Sequence, residues 1–194
     1  MTTFVLATAN PHKAEEMRAV LLPLGVDLLD RPQDVADVEE TGDTLEENAL
    51  LKARALVEAT GRAAIADDTG LFVDALNGRP GVHSARFAGE SASYEDNVTK
   101  LLNELDGVPT PRTARFVTVI AVAYPDGTSF CVEGELRGVI TNARLGDQGF
   151  GYDPIFVADE AGGWTLAQLS PQEKNDLSHR GRAMRALCAE LARR

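Results

Sequence analysis

Lysine and cysteine are both scarce in this chain. Only four of its 19 cationic side chains are lysines, Lys13, Lys52, Lys100 and Lys174, and its two cysteines are Cys131 and Cys188. The cysteines lie far apart without CxxC spacing, so neither a disulfide framework nor a zinc site is legible, and a reducing compartment fits best. No stretch approaches the roughly 18 apolar residues of a membrane span. The opening MTTFVLATANPHK also lacks the basic-then-apolar layout of a secretory signal. The chain is therefore expected in the cytoplasm, with no membrane partner. Positive charge is short overall: 19 Lys and Arg face 30 Asp and Glu, a net charge of −11 with a pI near 4.7. Nucleic acid, which needs an extended basic face, is excluded as a partner.

What is present is the composition of a soluble globular protein, 194 residues with 44% hydrophobic and 25% charged side chains. Phe4 to Ala7 reads as a short buried strand, followed by a polar turn in which Asn10 caps a helix starting at Pro11. Met17, Val20, Leu21 and Leu24 stripe that helix, and Gly25 ends it. Val26 to Leu29 reads as a second strand, and RPQDVADVEETGD as an acidic loop. Thr44 with Glu47 forms a capping box for a helix carrying Leu45, Leu51 and Leu56 up to Gly61. Ala63 to Ala66 reads as a strand ending at DDTG. NGRPGVHSARFAGE is too rich in glycine for regular structure. Val98, Leu101, Leu102 and Leu105 mark another helix. Arg115 to Tyr124 and Thr128 to Leu136 read as a hairpin turning at Pro125-Asp126-Gly127. IFVA is a further strand, and Met184, Leu187, Cys188 and Leu191 stripe a C-terminal helix, while Trp164 reads as a packing residue. No repeat or linker interrupts the chain. The expectation is one α/β domain over residues 1–194, a central mixed, twisted β-sheet flanked by helices, compatible with two lobes and an active site in a cleft between them.

Five segments can carry chemistry. In TANPHK a polar turn meets a helix start, which offers backbone N–H groups and Lys13 to an anion, or simply an Asn10 cap and a solvated lysine. Asp67-Asp68 is the sharpest feature. Two carboxylates held about 4 Å apart at an effective dielectric near 20 repel by roughly 4 kcal/mol, so a strand end keeping both recruits a cation or a proton. The competing reading is a solvated turn. Glu39 and Glu40 form a second acidic pair, and Lys52 lies mid-helix; both read on spacing alone as solvated. FGYDP places Phe150, able to stack on a planar ring, beside Gly151, Tyr152 and Asp153. Lys174 and Ser178-His179-Arg180 lie at the entrance to the last helix, where a surface helix start is the simpler reading. His12 and His83 have no ligand spacing, and Arg182 and Arg185 read as a solvated face.

Each segment is weak alone, but their order is specific. LATANPHKAEEM, EETGDTLEENALLKA, IADDTGLFVDALNGRPGVHSARFAGE, GFGYDPIF and EKNDLSHRGRA together closely resemble the inosine/xanthosine triphosphate pyrophosphatases, over about residues 4 to 187. The resemblance implies a cytoplasmic, homodimeric, magnesium-dependent α/β enzyme. Its activity would be hydrolysis of inosine, deoxyinosine and xanthosine triphosphates to the monophosphate and pyrophosphate. Carried onto this chain, Thr8, Ala9, Asn10, Pro11, His12 and Lys13 would cradle the triphosphate with Lys52. Glu39 and Asp68 would hold magnesium, with Glu40 and Asp67 left open as further ligands, and Asp68 would accept the proton. Thr69, Phe150, Gly151, Tyr152, Asp153, Lys174, His179 and Arg180 would line the nucleotide pocket. Two positions depart from the family pattern, Ala9 for the commoner glycine and Thr69 for the commoner serine of DDSG. A non-catalytic nucleotide sensor and a pyrophosphatase for other modified nucleotides are the alternatives.

Overall fold

A computed structural model describes every residue except Met1, Ala9 and Asp37. Ala9, expected at the phosphates, thus lies outside the described residues. In chain order the elements are β1 (Thr2–Leu6), α1 (Pro11–Leu21), β2 (Val26–Leu29), α2 (Leu45–Thr60), β3 (Ala64–Val73) and β4 (Pro80–Gly81). They continue with α3 (Tyr94–Glu104), β5 (Thr113–Ala123), β6 (Ser129–Ile140), β7 (Phe156–Ala158), α4 (Pro171–Leu177) and α5 (His179–Leu191). The strands pair in the order β2-β1-β3-β5-β6-β7, with β4 beside β3. β1 is parallel to β2 and β3, whereas β3–β4 and β6–β7 are antiparallel, so the sheet is mixed as expected.

The chain divides into two compact units. The first comprises residues 1–68, 118–134 and 180–194, the second residues 69–117 and 135–179. In the first, Phe4 and Leu6 of β1, Met17 and Leu21 of α1, Ile65 of β3 and Met184 and Leu187 of α5 share one apolar core. In the second, Leu71 and Val73 pack with Val98, Leu101 and Leu105 of α3 and with Phe116, Tyr152 and Phe156. Each such side chain contributes about 1.5–3 kcal/mol of burial.

Local sequence accounts for most of the boundaries. Capping boxes start α2 (Thr44, Glu47), α3 (Ser93, Asp96) and α4 (Ser170, Glu173). The β5–β6 turn closes with Tyr124 and Thr128 hydrogen-bonded at 2.9 Å, and Gly127 takes the positive φ the turn requires.

Four expectations are corrected. Leu24 is exposed because α1 stops at Leu21 and a 3-10 turn containing Pro23 breaks the stripe. Leu51 also faces outward, on the side of α2 away from Leu45 and Leu56. Trp164 does not pack and is 56% exposed. The strand before DDTG does not end there: β3 runs through Asp67, Asp68, Thr69 and Gly70 to Val73.

Candidate active site

Parallel register brings the first cluster together. Val5 and Leu6 of β1 pair with Ala64 and Ile65 of β3, so the segment leaving β1 runs beside the residues that follow Ile65. Within that segment Thr8 Oγ1 accepts from the Asn10 amide at 3.1 Å, and Asn10 Oδ1 accepts from the amides of His12 and Lys13 at 3.0 and 3.4 Å. Asn10 is the expected cap. Pro11 and His12 are exposed, but Lys13 is not a solvated lysine: its ammonium stands 3.0 Å from Asp67 Oδ2, on a side chain with no exposure at all.

Asp67 and Asp68 are neighbours in sequence whose carboxylates make different ion pairs. Successive strand side chains alternate faces, and the two carboxylates take different cations. Arg180 Nε joins Lys13 on Asp67, at 3.5 Å from Oδ2. Lys52 Nζ lies 2.9 Å from Asp68 Oδ1 and 3.0 Å from Glu40 Oε1. The solvated readings of Lys52 and of the Asp67-Asp68 turn are therefore overturned. Lys52 and Asn48 lie one turn apart on α2, so both reach Asp68; Asn48 Nδ2 is 3.5 Å from Oδ2. Asn48 is in turn held by the Gly42 amide at 2.8 Å, and a Cβ at Gly42 would come within 2.8 Å of its Oδ1.

Glu39, expected with Asp68 at the metal, is exposed, and the carboxylate placed beside Asp68 is Glu40. Among the described residues no group of three or more His, Cys, Asp and Glu side chains is arranged to hold a metal ion. Glu40 and Asp68 nevertheless already share one cation, the Lys52 ammonium. Two hard carboxylate donors suit a divalent ion that draws its remaining ligands from water and phosphate.

The electrostatics separate the two aspartates. Burial pushes Asp67 upward, but Lys13, Arg180 and Lys52 outweigh it and hold the carboxyl well below the usual carboxylate range. For Asp68 burial prevails: with Glu40 adding repulsion, its pKa is raised despite the Lys52 ammonium. Burial lowers Lys52, while Asp68, Asp67 and Glu40 more than reverse this and raise it.

The second cluster belongs to the other unit. Lys174 and Asp153 form a buried pair at 2.6 Å, with side chains 6% and 5% exposed. The surface reading of Lys174 fails because α4, missed in the sequence, turns it inward. Asp153 Oδ2 also accepts the Phe150 amide at 2.8 Å, and the Lys174 ammonium lies 4.6 Å from the Phe150 ring centroid. Gly149 must be glycine: its φ is +74° and a Cβ would stand 2.2 Å from Asp153 Oδ2. Gly151 and Thr69 are half-buried. Tyr152 is buried, with its hydroxyl donated to the Ser84 carbonyl at 2.9 Å, so that hydroxyl serves the fold. His179 is buried and stacks on Phe116 at 4.6 Å. Arg180, in the first unit, is 2% exposed and places Nη1 2.5 Å from Glu16 Oε2. Sequence reasoning missed Glu16 and Asn48; Glu16 stands one turn after Lys13, and Asn48 one turn before Lys52.

Comparison with known proteins is consistent along the whole chain. The Ham1 family model matches residues 4–190. A dITP/XTP pyrophosphatase of Nitratidesulfovibrio vulgaris is 52% identical, covering 95% of this chain and 93% of that protein. A protein of the same name from Geobacillus kaustophilus is 51% identical, over 96% and 93%. A HAM1 protein structure from Coxiella burnetii superposes with a TM-score of 0.90 at 39% identity, covering all of both chains.

Proposed function

The chain belongs to the Ham1 family, and from that premise we propose that it is a nucleoside triphosphate pyrophosphatase acting on inosine, deoxyinosine and xanthosine triphosphates. The carrying observation is Asp68: a buried carboxylate of raised pKa, flanked by Lys52 and Glu40, in a chain half identical to proteins named dITP/XTP pyrophosphatases.

Asp68 accepts the proton of a water attacking the α-phosphorus. The bond to the bridging oxygen breaks, the monophosphate forms, and pyrophosphate leaves with the electron pair. A carboxylate within hydrogen-bond reach of the attacking water serves as its general base. Lys13 and Lys52 offer point charges to the charge that accumulates on the departing pyrophosphate. Glu40 and Asp68 would hold a divalent cation, magnesium in this proposal, which when bound neutralises phosphate charge. Asn48 and Gly42 fix the side of α2 from which Lys52 approaches Asp68.

The base is assigned to Phe150, for stacking, and to Arg180 for the 6-oxo group. Arg180 carries only donors, so a carbonyl oxygen satisfies it and the amino group of adenine does not. Lys174 and Asp153 fix the Phe150 segment. A homodimer in the cytoplasm completes the proposal; Leu22 and Leu24, 51% and 52% exposed, leave apolar surface at the end of α1. No helix among the described residues is long and apolar enough to cross a membrane.

The test is to incubate purified protein and magnesium with ITP, dITP, XTP, ATP and GTP and to assay both pyrophosphate and orthophosphate. Pyrophosphate with monophosphate from the first three is the expected result. Orthophosphate release would refute the mechanism, and equal rates with GTP would refute the selectivity.

A further inference from the structure

Asp67 has no part in the proposed chemistry, yet its side chain is wholly enclosed and two cations share one of its oxygens. Lys13 Nζ approaches Oδ2 at 3.0 Å from the first turn of α1, and Arg180 Nε approaches the same atom at 3.5 Å from the start of α5. Glu16, one turn along α1 from Lys13, takes Arg180 Nη1. Two carboxylates thus bridge two cations, and those cations, Lys13 and Arg180, are the residues assigned above to opposite ends of the substrate.

We infer that Asp67 is a positioning residue that couples Lys13, at the phosphate end, to Arg180, at the base end, so that one buried oxygen sets both. This rests on the proposed function. With the charge of Asp67 removed, two cations would face each other across a neutral amide. Lys13, with 18% of its side chain exposed, can swing into water, whereas Arg180, at 2%, stays enclosed beside Glu16. Loss of Asp67 therefore alters phosphate handling and base discrimination together.

The experiment compares kcat/KM for ITP and ATP in the wild type and in Asp67→Asn. Because the ratio of the two is independent of the fraction of folded enzyme, a purely structural role would leave it unchanged. The expected result is a KM for ITP raised about tenfold or more and an ITP-over-ATP preference reduced by a similar factor. An unchanged preference overturns the inference. If Asp67→Asn does not fold, a double-mutant cycle with Lys13→Met and Arg180→Lys gives the answer, since the two side chains share a partner. Non-additivity in kcat/KM of about threefold or more supports the coupling, and additive effects overturn it. A wild type that releases no pyrophosphate from any triphosphate would instead refute the proposed function and take the inference with it.

Discussion

Lys174–Asp153 and Lys52–Asp68 are both buried lysine–aspartate pairs, and they are built for different purposes. The first is closed: one ammonium meets one carboxylate at 2.6 Å, the Phe150 amide takes the same oxygen, and the Phe150 ring lies against the charge. The second is shared: Lys52 serves Asp68 and Glu40 at nearly equal distances, and Glu40 is 26% exposed on its side chain. A closed pair fixes a segment in place. A shared pair can exchange partners when a new anion or cation arrives, as a phosphate-handling site must.

The largest expected effect tests the shared arrangement. Asp68→Asn should lower pyrophosphate release by about 10²–10⁴-fold while nucleotide binding, measured by calorimetry, survives. Next comes the closed pair. Lys174→Met takes the ammonium from the buried Asp153 carboxylate and should cost about 3–5 kcal/mol in denaturant unfolding. Lys52→Met should cost clearly less, since Glu40 can turn to water and Asp68, with its raised pKa, takes up a proton more readily; equal losses would erase the distinction between the pairs. Phe150→Leu keeps the apolar volume but removes the stacking face, and should weaken ITP binding by about 1–3 kcal/mol with kcat little changed.

The finest test lies within the adjacent aspartates. Asp67 has a depressed pKa, so its contribution to stability is present above the ordinary carboxylate value of about 4 and is lost as pH falls below it. Asp68 has a raised pKa, so its contribution is present below about 4 and is lost as pH rises through its folded value. At pH 7 Asp67→Asn should therefore destabilise the protein, and Asp68→Asn should not. On acidification toward pH 3 the gap between wild type and Asp67→Asn should narrow. Urea titrations across this range provide the measurement.

Much of the fold was legible because its signals are local. Asn10 before Pro11, Thr44 with Glu47, and Pro125-Asp126-Gly127 each specify a boundary within a few residues. The helix α4 carries an equally local signal, Ser170-Pro171-Gln172-Glu173, which shows that this miss was avoidable. The extent of β3 was different. No propensity places Asp67 and Asp68 inside a buried strand, because the compensation comes from Lys13, Lys52 and Arg180, residues up to 113 positions away in the chain. Glu39 and Glu40 were indistinguishable for the same reason: only the position of Lys52 selects between them.

The sequence by itself determined the element types, the shortage of lysine, and the ordered motifs that carry the family resemblance, since these depend on spacing along the chain. Tertiary structure decided which charges meet. It gave the two members of an acidic dipeptide different ion-pair contacts and opposite pKa shifts, because strand alternation and the parallel register of β1 and β3 bring Lys13 and Arg180 against one carboxylate and Lys52 against the other.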